Sequence, residues 1–307
     1  MRTHDDMPAS PGRRRGEFHE DDPYKVKIRG ELPVWDGDDG LPPAGDRWST
    51  WDDTGVQHGP EPYPDWVITE LAAVDNELGV LKTGKEADVH LLSREVPDTD
   101  RACLLAAKRY RSNEHRMFHR DAGYLEGRRM RRSRENRAMA RRTQFGREVI
   151  AGQWASAEFA ALCRLWTVGT ALGSVAVPYP VSVLGTELLL EFIGDPRTGE
   201  GAPRLAQLRP EPAELRRLWT QLVDALVLLA RAGLAHGDLS AYNILIQEGR
   251  LVLIDLPQVV DIVANPQGTA FLARDVANVA KWFGAHGLSD VDADGLTATL
   301  MAEAGMR

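Results

Sequence analysis

Residues 235–246 read AHGDLSAYNILI, and residues 251–256 read LVLIDL. These stretches place Asp238, Asn243 and Asp255 beside apolar runs that predict short β-strands. Polar groups at such junctions carry a desolvation cost that ordinary core residues avoid, so the pattern indicates that these residues have a functional role. Asp238, on a short loop after a helix, is suited to accepting a hydroxyl proton. Asn243 and Asp255 offer the hard oxygen ligands that Mg²⁺ prefers. This set is typical of phosphoryl transfer.

Three weaker signals lie upstream of this set. Lys108 lies near the end of the predicted strand ACLLAAKRYR, from which it is placed to reach the α- and β-phosphates of a nucleotide. Glu158, on the inward face of a predicted helix at 147–166, is placed to form an ion pair with Lys108. The turn TGKEAD at 83–88 would lay backbone N–H groups over phosphate oxygens. Each signal alone also fits a solvent-exposed position, so these three assignments depend on the Asp238 set.

The order of predicted elements favours an α+β fold with two lobes. The stretch GVLKTGKEADVHLLSREV predicts two strands joined by a turn, and ACLLAAKRYR predicts a third, which together form an antiparallel meander. The helix at 147–166 follows, and after it come two more strands, SVAVPYPVSVLG and TELLLEFIG. A helix then begins at Pro212 and stops at Gly233, and further helices follow the Asp238 set. We therefore predict a sheet-rich lobe at about 63–192, a helical lobe at about 196–307, and a cleft between them. A short helix is also predicted from the spacing of Trp66, Ile68, Leu71 and Val74.

Residues 1–62 are rich in Gly, Pro and Asp and show no sustained apolar period, so we predict a disordered acidic tail. Through Asp65 the chain carries 15 acidic and 8 basic residues, which accounts for most of the net charge of −8. The tail also holds Trp35, Trp48 and Trp51. Docking of these rings on the folded body and their scattering in a flexible leader both remain open.

The remaining composition limits the class of protein. A net charge of −8 argues against wholesale wrapping by nucleic acid, yet residues 128–142 carry eight arginines. That segment fits a solvated basic loop or an arm that contacts RNA. Cys103 and Cys163 lack metal-ligand spacing and favour two buried thiols over a disulfide, which suits a reducing compartment. No run of about 18 apolar residues predicts a membrane span, and we expect a cytoplasmic protein.

Together the motifs resemble the RIO family of atypical serine/threonine protein kinases, nearest its first subfamily and of bacterial type. The matching stretches run in family order over about residues 64–283: TGKEADVHL at 83–91, AAKRY at 106–110, the WxxxEF pattern at 154–159, LLLEFIG at 188–194, HGDLSAYNILI at 236–246, IDLPQVVD at 254–261 and FLARDVANV at 271–279. Two departures concern subfamily more than activity. HGDLSAYN stands where the family commonly has HADLSEYN. In the motif that the family often has as IDVSQ, Leu256 and Pro257 stand in place of the valine and the serine.

The resemblance implies a two-lobed kinase-like fold that uses ATP and Mg²⁺. It makes Asp238 the catalytic aspartate, Asn243 and Asp255 the metal ligands, and Lys108 with Glu158 the phosphate lysine and its partner. It further implies that Asp255 becomes phosphorylated as an enzyme intermediate. Since Pro257 restricts the backbone, we expect Asp255 to stay in the cleft with and without nucleotide. The remaining nucleotide-binding positions implied are a phosphate loop of Thr83, Gly84, Lys85 and Glu86 and adenine-binding backbone groups at Glu191 and Ile193.

Three functions follow as alternatives. The first is ATP- and Mg²⁺-dependent phosphorylation of serine or threonine in an unidentified protein, with autophosphorylation or ATP hydrolysis. The second is a small-molecule phosphotransferase like the aminoglycoside and choline kinases, which also use HGDxxxxN. Those enzymes insert substrate-binding helices between hinge and catalytic loop, and here only 45 residues separate Ile193 from Asp238. The third is an ATP-regulated factor that binds ribosomal RNA or particles through residues 128–142.

Overall fold

The computed structural model describes residue 42 and residues 44–111 and 144–306, with side chains in the first long helix described from residue 149 onwards. Residues 1–41 and the arginine-rich 128–142 segment lie outside the described residues. Thirteen strands are described: β1 (Arg47–Trp48), β2 (Gln57–His58), β3 (Val74–Thr83), β4 (Ala87–Glu95), β5 (Ala102–Tyr110), β6 (Pro180–Leu184), β7 (Glu187–Glu191), β8 (Gly194–Asp195), β9 (Glu200–Gly201), β10 (Leu234–Ala235), β11 (Ile244–Gln247), β12 (Arg250–Leu253) and β13 (Val260–Asp261).

Seven of these strands form one sheet in the order β1-β3-β4-β5-β7-β6-β2. Its centre is the predicted antiparallel meander, in which β4 pairs with β3 on one side and with β5 on the other. Strand β7 then pairs with β5, so the two strands that follow the long helix extend the same sheet. The predicted sheet-rich lobe is confirmed.

Strand β5 is covered on both faces. Leu105 and Ala107 pack in an apolar cluster with Trp51 and Tyr179, whereas Lys108 points to the opposite face, towards the cleft. Successive side chains of a strand alternate between faces, so one strand serves the core and the cleft at once. This arrangement explains why the ACLLAAKRY sequence of β5 is almost continuously apolar.

Residues 44–62 belong to the folded body, which corrects the predicted tail boundary at 62. Strand β1 pairs with β3 at one edge of the sheet, and β2 pairs with β6 at the other. Between them Trp51 is buried, with its ring stacked on His58 at a centroid distance of 4.1 Å. The docking alternative is therefore correct for Trp51, because its apolar area covers the outer face of the sheet. Trp35 lies outside the described residues.

The helix predicted from Trp66 to Val74 is wrong. The chain forms turns there and enters β3 at Val74. Val67 and Ile68 are consecutive and both buried, while Leu71 is 80% exposed. The apolar residues follow the surface of the sheet on which the segment lies, and their helical spacing is coincidental.

Four α-helices lie in the described part of the chain: α1 (Gln144–Leu172), α2 (Pro212–Arg231), α3 (Gly268–Ala285) and α4 (Ala293–Glu303). The leucine spacing in α2 predicts one buried stripe, and all five of its residues are buried: Leu215, Leu218, Leu222, Leu226 and Leu229. In α1, Glu158 is buried, as predicted for the inward face of this helix, and Phe159 beside it is buried as well. One apolar core joins α1 to α2, α3 and α4. The two-lobed α+β prediction is thereby confirmed.

Two further sequence predictions concern the thiols and the membrane. Both cysteines are free and half-buried, and burial raises the pKa of Cys103 to about 11 and that of Cys163 to about 12. Within residues 44–111 and 144–306, no helix combines the length and the apolar character needed to cross a bilayer.

Candidate active site

A buried ion pair joins the sheet to α1. Lys108 extends from β5, and its Nζ lies 2.8 Å from Oε2 of Glu158 on α1. Only 8% of Lys108 and 1% of Glu158 are exposed. The contact predicted between these two side chains is therefore present, and it borders the cleft that contains Asp255.

Lys108 also contacts Asp255, with 2.6 Å between Nζ and Oδ1. Burial by itself lowers the pKa of Lys108, but the attraction of Glu158 and Asp255 outweighs it, so the pKa is raised. The same contact lowers the pKa of the Asp255 carboxyl, against the opposing effect of its own burial. The Lys108 ammonium and the Asp255 carboxylate therefore carry charge at neutral pH.

Glu158 connects three parts of the chain. Its Oε1 accepts hydrogen bonds from Lys108 Nζ and from the backbone N–H of Leu256, each at 2.9 Å. Its Oε2 accepts the hydroxyl of Tyr110. A single carboxylate thus positions both the lysine and the backbone directly after Asp255.

Asp255 points into the cleft, where its Oδ1 meets Lys108. Its φ of +68° lies in the left-handed region, which costs a non-glycine residue on the order of 1–3 kcal/mol. The Lys108 contact on its side chain and the Leu256 N–H bond to Glu158 hold this conformation. That Asp255 keeps the orientation when nucleotide binds stays a prediction.

The loop that carries Asp238 is held in place by hydrogen bonds to α3. Asp275, fully buried on α3, accepts hydrogen bonds from the N–H groups of Gly237 at 2.7 Å and Leu239 at 3.0 Å. These two amides flank Asp238, so the buried carboxylate sets the backbone on either side of it. The sequence analysis assigned no role to Asp275. A signal was present, because this acidic residue interrupts an otherwise apolar stripe on α3.

The glycine of the HGD motif is required by the local geometry. Gly237 has a φ of +84°, and a Cβ added there would lie 2.2 Å from the carbonyl oxygen of Gln258. Close approach of the two loops therefore excludes a larger residue in this conformation. The departure from the common HAD sequence has a structural reason in this chain.

Asn243 lies behind the loop and is not among the residues that line the cleft. Its Nδ2 donates to the carbonyl of Asp238 at 2.9 Å, and its backbone carbonyl accepts from Ile254 at 3.0 Å. In this orientation the carboxamide oxygen is the atom available to a metal. Asn243 therefore positions Asp238 in addition to its predicted role as a ligand.

The turn between β3 and β4 is only partly as predicted. Gly84 donates its N–H to the carbonyl of Ala87 at 3.0 Å, so that amide closes the turn and is not directed at a phosphate. Gly84, Lys85 and Glu86 line the cleft, whereas Thr83 does not. A Cβ at position 84 would lie 2.7 Å from the Ala87 carbonyl, which explains the glycine.

The predicted adenine-binding residues, Glu191 and Ile193, also line the cleft. Glu191 ends β7, and its Oε2 accepts the N–H of Tyr179 at 3.0 Å. Burial raises the pKa of Glu191. The carbonyl of Ile193 accepts the N–H of Ala202 at 2.9 Å, so the Ile193 N–H is the group of that residue left for adenine.

These elements enclose a cleft of about 1580 Å³ between the lobes. It is large enough for a nucleotide, since small-molecule sites occupy about 300–1,000 Å³. The cleft collects all predicted site residues except Thr83 and Asn243. Three basic residues in its wall, Lys82, Arg197 and Arg204, were missed by the sequence analysis.

The residues present also fit Mg²⁺ bound together with phosphate. Within the described part of the chain, His, Cys, Asp and Glu form no group of three or more that could hold a metal ion. Mg²⁺ is commonly held by one or two carboxylates with phosphate oxygens and water. Asp255, whose side chain is 36% exposed, and the carboxamide oxygen of Asn243 suit that partial ligand set.

A family model described as the RIO domain matches residues 104–296, which includes the Lys108, Asp238 and Asp255 positions. The chain belongs to the RIO domain family. The similar proteins include RIO1 and also RIO3 kinases. The assignment to the first subfamily therefore stays a prediction.

Relatives of this RIO chain come from archaea and eukaryotes. It is 36% identical over 221 residues to the RIO-type serine/threonine-protein kinase Rio1 of Haloferax volcanii, covering 71% of this chain and 66% of that protein. It is 36% identical over 143 residues to the serine/threonine-protein kinase RIO1 of Chaetomium thermophilum, covering 44% and 26%. For the human serine/threonine-protein kinase RIO1 the identity is 28% over 232 residues, covering 73% and 35%. The chain thus spans just under two thirds of the archaeal relative and about a third or less of these two eukaryotic ones.

Proposed function

We propose that the protein transfers the γ-phosphoryl group of ATP to serine or threonine hydroxyls of a protein, its own chain included, or to water. The observation that carries this proposal is the contact of Lys108 with both Glu158 and Asp255, in a cleft that also contains Asp238. A charged lysine held at the base of a cleft is suited to the phosphates of a nucleotide. The curated relatives named as serine/threonine-protein kinases support the same reaction class.

Each residue of the site has a role in this reaction. Asp238 accepts the proton of the attacking hydroxyl, and the bonds from Asp275 to Gly237 and Leu239 keep it aimed into the cleft. Lys108 binds the α- and β-phosphates, and Glu158 orients it. The proposed nucleotide contacts further out are the phosphate loop of Thr83, Gly84, Lys85 and Glu86 and the backbone of Glu191 and Ile193. Mg²⁺, held by Asn243 and Asp255, would neutralise charge on the phosphates.

Incubation with γ-labelled ATP and Mg²⁺ tests the proposal. Acid-stable label on serine or threonine would support protein phosphorylation, and released phosphate would support hydrolysis. Label on the protein that hydroxylamine removes would indicate an acyl phosphate, for which Asp255 is the proposed site. The Asp238→Asn variant serves as the control. Equal label and equal phosphate release from that variant and the parent would contradict the assignment.

A small-molecule phosphotransferase is not favoured. Residues 193–238 are described without a gap, and α2 is the one α-helix among them. The rest of that segment is the β8–β9 hairpin, a 3₁₀ turn at Leu205–Gln207 and β10. Helices that would enclose a small acceptor between hinge and catalytic loop are therefore missing from this segment.

RNA contact is a second candidate, and it rests on the eight arginines of residues 128–142. Contact with ribosomal RNA or a ribosomal particle would show selective binding that survives at 200 mM salt. Non-specific phosphate contacts instead weaken by orders of magnitude between 50 and 200 mM salt. Removal of residues 128–142 should then abolish the selective binding. Loss of all binding at 200 mM salt in the parent would contradict this candidate.

A cytoplasmic location is also proposed, since both thiols are free.

A further inference from the structure

Lys82 lies in the cleft because β3 is irregular. Its register with β4 shifts between Val80 and Lys82, so that Val80 pairs with His90 and Lys82 with Val89. Val80 is 59% exposed on the outer face of the sheet. Strict alternation would place Lys82 on that same face. The extra residue of the bulge instead aligns Lys82 with Val89, and both line the cleft.

Arg204 reaches the cleft from the helical lobe. Its backbone N–H donates to Oε1 of Gln207 at 2.8 Å, and its backbone bridges to Leu245 on β11. The guanidinium donates to the carbonyl of Tyr242, the residue directly before Asn243. Arg204 is therefore fixed beside the loop that contains both Asp238 and Asn243.

Lys82 and Arg204 both line the cleft, near enough for the charge of Arg204 to act on Lys82. Burial and the charge of Arg204 lower the pKa of Lys82, and Asp255 opposes this only in part. In residues 44–111 and 149–306, no carboxylate lies within 4.0 Å of the charged atoms of Lys82 or Arg204. Lys108, in contrast, has two such partners. Like charges in a partly desolvated cleft repel each other, and a bound anion would relieve that repulsion.

We propose that Lys82 and Arg204 form a cationic clamp, one side chain from each lobe, that binds the terminal phosphate of the nucleotide. This inference rests on the proposed function. Both cations lie near Asp255, and Arg204 adjoins Asn243 through Tyr242. They line the same cleft as Asp255, the proposed Mg²⁺ ligand, beside which the transferred phosphate would lie. ADP lacks that phosphate, so the clamp sets the preference for ATP over ADP.

Calorimetric titration with ATP and with ADP tests the clamp directly. We expect Lys82→Met to weaken ATP binding about tenfold, the effect of losing one charge-assisted hydrogen bond. ADP binding should change less than about twofold by the same reasoning, and Lys82→Arg should restore the preference. Lys281→Met, an exposed lysine on α3 outside the cleft, is the matched control and should behave as the parent.

Arg204 needs a second comparison because it also contacts the Tyr242 carbonyl. Arg204→Met should reduce the ATP preference both with Mg²⁺ and in EDTA, with the exposed Arg209→Met as control. An effect seen only with Mg²⁺ would mean that Arg204 acts through Asn243, and would overturn its place in the clamp. An unchanged ATP-to-ADP affinity ratio in Lys82→Met would overturn the clamp while leaving the proposed function intact. A parent protein that binds no ATP would overturn both.

Discussion

Glu158 shows how much one buried side chain organises. It lies 50 residues from Lys108 and 98 from Leu256 in the chain, yet its carboxylate contacts both. A carboxylate that is 1% exposed is tolerated only when its oxygens are paired and hydrogen-bonded. The cost of burying it is offset by the lysine, the tyrosine hydroxyl and the backbone amide.

Replacement of Glu158 by Gln should therefore damage both stability and nucleotide binding. The amide keeps the shape but removes the negative charge that faces Lys108. Because Asp255 still contacts Lys108, we expect a loss of about 3 kcal/mol in the free energy of unfolding, at the low end for breaking a buried pair. Denaturant titration and ATP calorimetry measure the two effects. Glu303→Gln removes the exposed contact with Arg231 and should cost less than about 1 kcal/mol. Equal effects of the two replacements would contradict this interpretation.

Asp238 and Asp255 should separate turnover from metal-dependent binding. Asp238→Asn removes the proton acceptor and should lower the rate by about 10²–10⁴-fold. Binding of ATP with Mg²⁺ should persist in that variant because Asn243 and Asp255 remain. Asp255→Asn removes an anionic ligand and should weaken Mg²⁺-dependent ATP binding as well as turnover. Calorimetry with and without Mg²⁺ distinguishes the two variants, and the reverse pattern would show that the roles are misassigned.

At the scale of elements, the loop that carries Asp238 depends on its contact with α3. Asp275 accepts two backbone N–H groups that lie two residues apart, and Arg274 donates to the carbonyl of Gly237. Burial raises the pKa of Asp275, opposed in part by those two amides. The helix thus supplies the polar partners that the loop backbone lacks.

Asp275→Asn should misplace Asp238 without removing any group that touches nucleotide. We expect kcat to fall by about 10–100-fold, the effect of a displacement of roughly 1 Å. The KM for ATP should stay within about twofold, since no group proposed to contact the nucleotide changes. Steady-state kinetics at several ATP concentrations provides the measurement. A rise in KM with unchanged kcat would indicate a role in nucleotide binding instead.

Three strands of the sheet meet at one carboxylate. Glu187 at the start of β7 accepts from Arg47 of β1, with 2.7 Å between Oε1 and Nη2, and from Arg109 of β5, with 2.6 Å between Oε2 and Nε. Burial alone raises the pKa of Glu187, but the two arginines outweigh it and hold the pKa below 4.5. The ionised form is therefore favoured by folding.

This depressed pKa makes a pH-dependent contribution to stability. The contribution is complete above pH 4.5, the ordinary value, and is lost as the pH falls through the lower pKa of the folded state. Glu187→Gln should therefore be less stable than the parent by about 1–2 kcal/mol at pH 7. The difference should shrink below pH 4.5. Chemical unfolding across this range tests the sign, and a difference that grows with acidification would refute it.

At the scale of the molecule, residues 44–62 determine whether the outer face of the sheet is covered. Trp51 is 6% exposed and packs against His58 and Tyr63. Its cluster reaches Leu105 and Ala107 on β5, whose other face presents Lys108 to the cleft. The segment therefore supports the strand that positions Lys108.

Trp51→Ala should destabilise the protein by about 3–5 kcal/mol, the usual cost of truncating a buried tryptophan. Thermal unfolding measures this loss. Leu71→Ala is the matched control, because Leu71 is 80% exposed and should change stability by less than about 0.5 kcal/mol. A Trp51→Ala variant as stable as the parent would mean that the segment is not part of the folded unit.

The sequence by itself determined those features of the protein that depend on residues close together in the chain. The meander, the leucine stripe of α2 and the spacing of Asp238, Asn243 and Asp255 are local patterns, and the strand and helix periods translate them directly into structure. Lys108 and Glu158 could be paired in advance only because the Asp238 set indicated phosphoryl transfer, since each position alone also fits solvent exposure.

Only the tertiary structure decided which distant segments meet. Arg47 and Glu187 are 140 residues apart, and no local sequence pattern predicts a contact between residues so distant in the chain. The bulge that turns Lys82 into the cleft is a property of pairing between two strands, so alternation along β3 alone assigns Lys82 to the wrong face. The helix predicted at 66–74 failed for a related reason, because a segment that lies across a sheet buries its residues according to the surface beneath it. The periodicity of a segment shows how its apolar residues are spaced, whereas the surface against which the segment packs determines which of them are buried.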